Sequence, residues 1–384
     1  MKKIVILHIF HDEKFFDHVS DFFDSLKNVE NLYYYYTPHK NTSFKYIRSS
    51  NKIKIIDNFS EYIQILSSHQ IDIIYFQSLS PSFYHYFKYI NPKTILIWWC
   101  FGYEIYNSQR YLPPMVKINL FKPLTFKFKY NNKKRPYIKN LIRSLYWLIR
   151  LPWDYYMRKK IISRIDYFSP VLPIEYELMK RNNYFKAQPF MINEGPGLLG
   201  NVEFTYFKKS QNILIGNSFT YTNNHLDIFH KIKSYKLSNQ KYIIPINYGT
   251  DYAGKRKFFK HISGLSPKES IWLDDFIPYE EYKLLLSSVS HAIFGHMRQQ
   301  AMGNIYMCLL TGAKVFLYKD SLLYKQLKDF GYIVFSIEND LSEEALKIPL
   351  SKEDAYHNFS IKLKLSANKV ENVEQELERI VNIK

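Results

Sequence analysis

The sequence predicts an α/β protein made of two consecutive Rossmann-like domains. Three observations carry this. Continuously apolar runs of strand length recur along the chain and alternate with helix-like segments. The alternation forms two series, separated by a stretch rich in glycine and proline. At 384 residues the chain is long for one domain and ordinary for two.

The first series opens with strand IVILHIF (4–10) and a helix over 14–26. Strand NLYYYYT (31–37), a helix at 59–68, strand IDIIYFQ (71–77), a helical segment at 82–90 and strand ILIWWCF (95–101) follow. After an insert at 107–160, RIDYFSPVLP (164–173) reads as strand and turn. PGLLGNVEF (196–204) reads as an interdomain linker. The second series runs NILIG (212–216), helix 223–235, KYIIPIN (241–247), helix 252–262, SIWLD (270–274), helix 279–287 and HAIFG (291–295). An apolar helix then leads through Thr311-Gly312 into a strand at 313–318, followed by helix 321–330 and strand YIVFSI (332–337). This gives an N-terminal domain over 1–198 and a C-terminal domain over 205–350. A charged helical tail, 351–384, is expected to pack back toward the first domain. Two such domains facing a central cleft make the GT-B architecture. Sheets of this kind bind ligands at the carboxyl ends of their strands. The residues just after each strand are therefore the candidates.

Charge narrows the partners. Lys and Arg outnumber Asp and Glu by 53 to 35, a net +18. Residues 107–160 hold 14 of the basic residues and one acid, Asp154, and so carry +13 of that excess. Prolines at 113, 114, 123, 136 and 152 partition the insert. Such a field suits nucleic acid, an anionic membrane or a phosphorylated substrate. Within 136–151, Lys139, Arg143, Tyr146 and Arg150 fall on one helical face and Leu141, Leu145 and Leu148 on the other. Lys139, Arg143 and Arg150, with Lys133, Lys134, Arg135, Arg158, Lys159 and Lys160, are the expected contacts to an anionic membrane surface. No nucleic-acid module accompanies them, so nucleic acid is not an expected partner.

The chain is enriched in Tyr, Phe, Ile, Asn and Lys, the bias that AT-rich coding produces, so aromatic content alone is weak functional evidence. Cys100 and Cys308 sit in apolar runs and read as reduced core thiols of a cytosolic protein. The start, MKKIVILHIFHDEK, has a short apolar stretch and no small-residue cleavage site, so a first strand is expected there rather than a signal peptide. ILIWWCF is far short of the roughly 20 residues needed to span a bilayer.

Several loops carry chemistry. GNSFTYTNNH (216–225) places Gly216, Asn217 and Ser218 between a strand and a helix start, a ready phosphate site. NYGT (247–250) places Tyr248 beside a turn glycine. HMRQQAMGN (296–304) offers the planar fork of Arg298, the amides of Gln299, Gln300 and Asn304, and Gly303 for close backbone approach. On the first-domain side, His8 and Glu104 are candidates to deprotonate an attacking hydroxyl. Glu104 is equally a candidate hydroxyl acceptor or loop cap. Metal-ligand spacing, a Walker loop and a G-x-G-x-x-G fingerprint are all missing, and no metal or cofactor is expected.

The ordered set LHIF with HDEKF, FGYEIY, ILIGNS through NNH, IIPINYG, FIPYEEYKLLL and RQQAMGNIYMCLLTG resembles a known family. It is similar to the TDP-N-acetylfucosamine:lipid II N-acetylfucosaminyltransferases of enterobacterial common antigen assembly. The agreement spans most of the chain and is densest over 212–318. The resemblance implies a metal-independent GT-B glycosyltransferase with a dTDP- or UDP-sugar donor. It implies a polyprenyl-diphosphate-linked saccharide acceptor and a peripheral place on the cytoplasmic face of the bacterial inner membrane. Gly216, Asn217, Ser218 and the Arg298–Gly303 segment would bind the donor, with His8 and Glu104 on the acceptor side. The sequence departs from the family pattern at Phe101, Glu104, Thr220-Tyr221 and Ala301, the last standing where the family has glycine. A relative acting on another amino sugar in capsule or O-antigen synthesis fits equally. The alternative is a non-catalytic nucleotide- or membrane-binding protein on the same fold.

Overall fold

Continuously apolar strands need cover on both faces, and parallel pairing provides it. Every strand pairing among the described residues is parallel. The computed structural model describes residues 3–10, 13–37, 44, 47–107, 112–131, 137–192, 204, 206, 211–237, 240–247, 249 and 252–383, with backbone alone at 14, 137–149, 252–256 and 279.

In chain order the first elements are β1 (Ile4–Phe10), α1 (Phe16–Asp24), β2 (Val29–Tyr36), β3 (Lys54–Ile56), α2 (Phe59–Ser67), β4 (Ile73–Gln77), β5 (Ile95–Cys100) and α3 (Tyr103–Tyr106). Then come α4 (Pro123–Asn131), α5 (Tyr137–Arg164), β6 (Tyr167–Pro170), α6 (Pro173–Met179) and β7 (Gln188–Pro189). The second half is β8 (Ile213–Ile215), α7 (His225–Ile232), β9 (Tyr242–Pro245), α8 (Tyr252–Ser263), β10 (Ser270–Leu273), α9 (Tyr279–Ser288), β11 (His291–Phe294), α10 (Met302–Leu310) and β12 (Lys314–Leu317). It closes with α11 (Leu322–Asp329), β13 (Phe335–Ser336), α12 (Glu343–Lys347), α13 (Lys352–Ser366) and α14 (Lys369–Ile383).

The sheets are ordered β3-β2-β1-β4-β5-β6-β7 and β10-β9-β8-β11-β12-β13. Each is a Rossmann-like order, and chain direction across the sheet reverses once in each. The reversal lies between β1 and β4 in the first sheet and between β8 and β11 in the second. The fold class is as the sequence predicts.

The chain divides into two units. The first comprises 1–117, 136–198 and 366–384; the second comprises 118–135 and 199–365. In the first, Ile4, Ile6, Ile73, Tyr75, Ile97 and Trp99 make one sheet face, covered by Val19, Phe22 and Phe23 of α1. Val373, Leu377 and Ile380 of α14, spaced for one helical face, join the same core. In the second unit, Ile213, Ile215, Ile293 and Phe316 pack against Leu226 and Phe229 of α7 and Phe258 and Ile262 of α8.

Three features differ from expectation. The tail splits: α14 belongs to the first unit, whereas Asn358 of α13 is bonded to the Ile333 backbone in the second. The basic insert splits too, because α4 is fastened to α7. The Asp227 carboxylate accepts from Leu124 N at 2.9 Å, Thr125 N at 3.0 Å and Thr125 Oγ1 at 2.7 Å. A carboxylate at the exposed amides of a helix start is favourable. Asn224 Oδ1 accepts from Lys122 N at 2.8 Å just before it. Finally, Pro152 lies inside α5 rather than ending it. An interior proline costs about 3 kcal/mol. Strands β3 and β7 are short edge strands with no apolar run to announce them. The stretch read as a linker lies outside the described residues apart from Phe204.

Asp227→Ala should loosen α4 by about 1–2 kcal/mol. Hydrogen exchange over 123–131 should accelerate while β8 and β11 stay protected; unchanged protection would show that α4 is held by other contacts.

Candidate functional site

The second unit has its reversal point between β8 and β11, whose register pairs His291 with Ile213 and Ile293 with Ile215. Both strands end into loops, 216–224 and 295–301, at the place where such sheets bind ligands. Two glycines let these loops meet. A Cβ at Gly295 would lie 2.2 Å from the Asn223 carbonyl oxygen. Gly216 has φ +69°, and a Cβ there would lie 2.6 Å from Asn223 Oδ1 and 2.8 Å from His225 Nε2. The loop after β9 approaches as well: a Cβ at Gly249 would come within 2.6 Å of Thr220 Cγ2.

Where the loops meet, side chains form one buried network. Asn217 N donates to Asn223 Oδ1 at 3.0 Å. Asn223 Nδ2 donates to Ser218 Oγ at 3.0 Å and Thr220 Oγ1 at 2.9 Å. Across from it, His296 Nε2 lies 2.8 Å from Asn223 Oδ1 and 3.1 Å from Asn217 Oδ1. Both are acceptors, so the ring proton is assigned to Nε2. Gln300 ties the loops a second time. Its Nε2 donates to Asn217 Oδ1 at 3.2 Å, and its Oε1 accepts from Thr222 Oγ1 at 2.7 Å. Asn224 Nδ2 donates to the Gly295 carbonyl at 2.7 Å.

Burial, then the charge of Arg298 and the proximity of His225, hold His296 well below the ordinary histidine range. Burial lowers His225 to about 4. Both rings are neutral at pH 7, and the network carries no charge of its own there. The nearby cation is Arg298, whose Nη1 donates to the Gln299 carbonyl at 2.6 Å.

This changes the part played by the expected residues. Asn217 and Gln300 hydrogen-bond across the two loops and Ser218 within the first, so all three help to shape the site. Asn304 Nδ2 donates to Tyr282 OH at 2.8 Å and fastens α10 to α9. Gly303 has nothing within 4 Å of a Cβ position, so space is open beside the first turn of α10. Gln299 Oε1 and His296 Nδ1 are buried without a hydrogen-bond partner among the described residues. Ala301, the N-cap of α10, is left-handed at φ 59°, ψ 27° and gives no side-chain cap. The residue standing in the family's glycine position therefore keeps a glycine-like conformation. Of the site's structural core, His296 was not singled out in sequence, and Asn223, a candidate helix cap there, instead bonds His296, Ser218 and Thr220. The signal was there in the polar run after each strand, but the pairing across some 70 residues was not. Tyr248 lies outside the described residues.

The first-unit candidates are not free bases. His8 lies within β1. It is buried, with its ring against Phe23 and Tyr33 at 4.7 and 4.8 Å and Nε2 3.0 Å from Asn31 Oδ1. Burial lowers it to about 4. It is a neutral core side chain. Glu104 is 1% exposed, and its Oε1 accepts from Leu79 N, Trp98 Nε1 and Phe101 N, each at 3.3 Å. Burial raises its pKa, partly offset by these bonds. Of the alternatives open in sequence, the structure realises the cap: Glu104 clamps the loops after β4 and β5.

Among the expected membrane contacts, Arg158 is a correction. It is 1% exposed and donates Nη1 to the Pro113 carbonyl at 2.7 Å, which makes it a bolt inside the first unit. Arg150 is exposed and 3.6 Å from Asp154, and Lys159 lies 4.4 Å over the Tyr155 ring. Lys160 is exposed. Lys139 and Arg143 lie on α5, with their side chains outside the description, and Lys133, Lys134 and Arg135 lie outside the described residues. Among the described residues, no cluster of three or more His, Cys, Asp or Glu is placed to hold a metal ion, and no helix is long and apolar enough to cross a membrane.

Residues 201–353 match the family described as 4-alpha-L-fucosyltransferase, glycosyl transferase group 56. No curated protein matches the chain. Among solved structures, it is similar to Anabaena HepE in complex with UDP and glucose, with TM-score 0.61 and 9% identity over 99% of this chain and 100% of that one. It is similar to the Escherichia coli trehalose-6-phosphate structure bound with UDP-2-fluoro glucose, with TM-score 0.57 and 9% identity over 99% and 98%. A Rickettsia africae glycosyltransferase gives TM-score 0.53 and 13% identity over 99% and 94%. These likenesses establish the fold as GT-B. Together, the family match and the fold support a glycosyltransferase enzyme.

Two outcomes test the local readings. Ala301→Gly should raise stability by up to about 1 kcal/mol, since left-handed backbone costs a non-glycine residue roughly 1–2 kcal/mol. A fall in the denaturation midpoint would contradict the left-handed assignment. Glu104→Ala should cost about 3 kcal/mol by leaving buried donors unpaired, whereas Glu104→Gln keeps an acceptor. Retained turnover in the Gln variant marks a clamp; loss of turnover with an intact fold would restore Glu104 as the base.

Proposed function

We propose that this protein transfers an N-acetylfucosamine-like amino-deoxy sugar from a dTDP- or UDP-sugar to a polyprenyl-diphosphate-linked saccharide. It would work peripherally on the cytoplasmic face of the bacterial inner membrane, in surface polysaccharide synthesis. The observation that carries the donor half is the β8–β11 reversal point. Arg298 and the uncapped start of α10 lie on the segment that leaves β11 there, and space is open beside Gly303 in the first turn of α10. UDP and UDP-sugars bound to HepE and the E. coli protein support a nucleotide-sugar as the class of donor.

The chemistry follows from charge. As the glycosidic bond to the diphosphate breaks, negative charge grows on the leaving oxygen. Backbone amides at the start of α10 and the Arg298 guanidinium oppose that charge. The network of Asn217, Asn223, His296 and Gln300 is neutral, so it fixes the loops without competing for the anion. Neither His8 nor Glu104 stands free to take the acceptor proton, so the base is sought elsewhere, or the donor phosphate serves.

The resemblance of the ordered motifs to lipid-linked transferases supports the acceptor half. So does the basic insert, where Trp153 and Tyr156 on α5 are 59% and 55% exposed near Arg150 and Lys160. Exposed indole and phenol rings beside cations suit a bilayer interface.

Arg298→Ala should reduce transfer at least about 100-fold, as loss of an oxyanion-stabilising donor does, with the thermal transition unchanged. Turnover is read by mass spectrometry on a nucleotide-sugar panel with a lipid-linked acceptor. Undiminished turnover removes Arg298 from the mechanism. Nucleotide binding with neither transfer nor slow donor hydrolysis would favour a non-catalytic binding protein.

A further inference from the structure

The second unit has a groove, apart from the reversal-point loops, that the donor chemistry does not use. It lies among α4, α7 and α8 and encloses about 390 Å³, within the range of small-ligand sites, roughly 300–1,000 Å³. Its apolar lining is Leu124 and Phe128 of α4, Leu226 of α7 and Leu265 just past α8. Lys127, His230 and His261, all exposed, also line it, and no acid does. The nearest carboxylate on α7, Asp227, is occupied in capping α4.

The helix that forms one wall is two-sided. Leu124, Lys127, Phe128 and Asn131 follow i, i+3, i+4, i+7 spacing and face the groove. Phe126 and Tyr130, on the opposite side, are 53% and 46% exposed, with ring centroids 4.5 Å apart. Exposed aromatics so close together on a surface helix are costly in water and favourable at a lipid interface. The stretch 118–135 that carries α4 holds Lys122, Lys127, Lys129, Lys133, Lys134 and Arg135 and no acid. A helix with this charge and these rings suits an anionic bilayer, where lipid chains are the most concentrated apolar ligand.

We propose that the groove takes one acyl chain of an anionic bilayer phospholipid, with the headgroup phosphate at Lys127, His230 and His261. This would make α4 a lipid-extracting anchor. The inference rests on the membrane reading above and extends it to a defined site in the second unit.

Calorimetry on the full chain uses three probes: dodecyl phosphate, dodecyl maltoside and inorganic phosphate. Dodecyl phosphate should bind saturably at one site. Maltoside should bind at least tenfold more weakly, and inorganic phosphate not measurably. Leu124→Trp fills the groove from a half-exposed position and should weaken dodecyl phosphate at least tenfold, with thermal unfolding unchanged. Lys127→Glu should weaken it similarly while leaving the weaker maltoside binding alone. Unaltered dodecyl phosphate affinity in both variants overturns the proposal. Displacement by farnesyl phosphate at a tenth of the dodecyl phosphate concentration overturns it too, and gives the groove to the acceptor's chain. Flotation with phosphatidylglycerol vesicles separates the two claims. Flotation of the unmodified protein without probe binding overturns the groove alone. Probe binding without flotation overturns the membrane reading and with it the anchor.

Discussion

The carboxyl edge of the second sheet depends on how closely two loops pass. Gly295 runs beneath the Asn223 carbonyl at a distance that no side chain tolerates. That approach brings Asn217, Asn223, His296 and Gln300 within reach of one another, and their hydrogen bonds then hold it. Neutrality is part of the arrangement. A protonated His296 would be a buried cation beside Arg298, and burial, Arg298 and His225 all oppose it. Removing water strengthens each bond in such a network and raises the cost of any atom left without a partner.

The first unit uses a carboxylate for the corresponding task. Glu104 gathers the amides of Leu79 and Phe101 and the indole of Trp98, so two strand-end loops are set by one side chain. Both units thus solve the same problem, a defined loop geometry at a parallel sheet's edge. One uses a buried acid, the other a neutral histidine and amides. In each, the conspicuous polar residue after a strand is a fastener before it is a reagent.

That distinction explains what was legible in the sequence. The strands were readable because parallel strands buried on both faces are apolar without interruption, as IVILHIF and ILIWWCF are. The loop positions followed from the strands. The roles did not follow, because they depend on partners far along the chain. His8 reads in sequence as a candidate base, yet it faces Phe23 and Tyr33 from within β1. Arg158 looks like one more surface cation, yet it reaches the Pro113 carbonyl. The split of the insert was hidden for the same reason: α4 follows Asp227, about 100 residues away. Composition showed the insert as one basic block, and packing divides it.

Those long reaches bear on how the chain matures during synthesis. Domains commonly fold one after another as they emerge. Here the first unit needs α14, the last described helix, to complete the core around Ile4 and Ile73. The second needs α4, made before any of its strands. A nascent chain holding only the first 200 residues exposes an apolar sheet face that lacks its final helix. It also carries a basic, aromatic α4 with no α7 to cap it. The order of synthesis therefore makes the N-terminal unit the later of the two to complete its core.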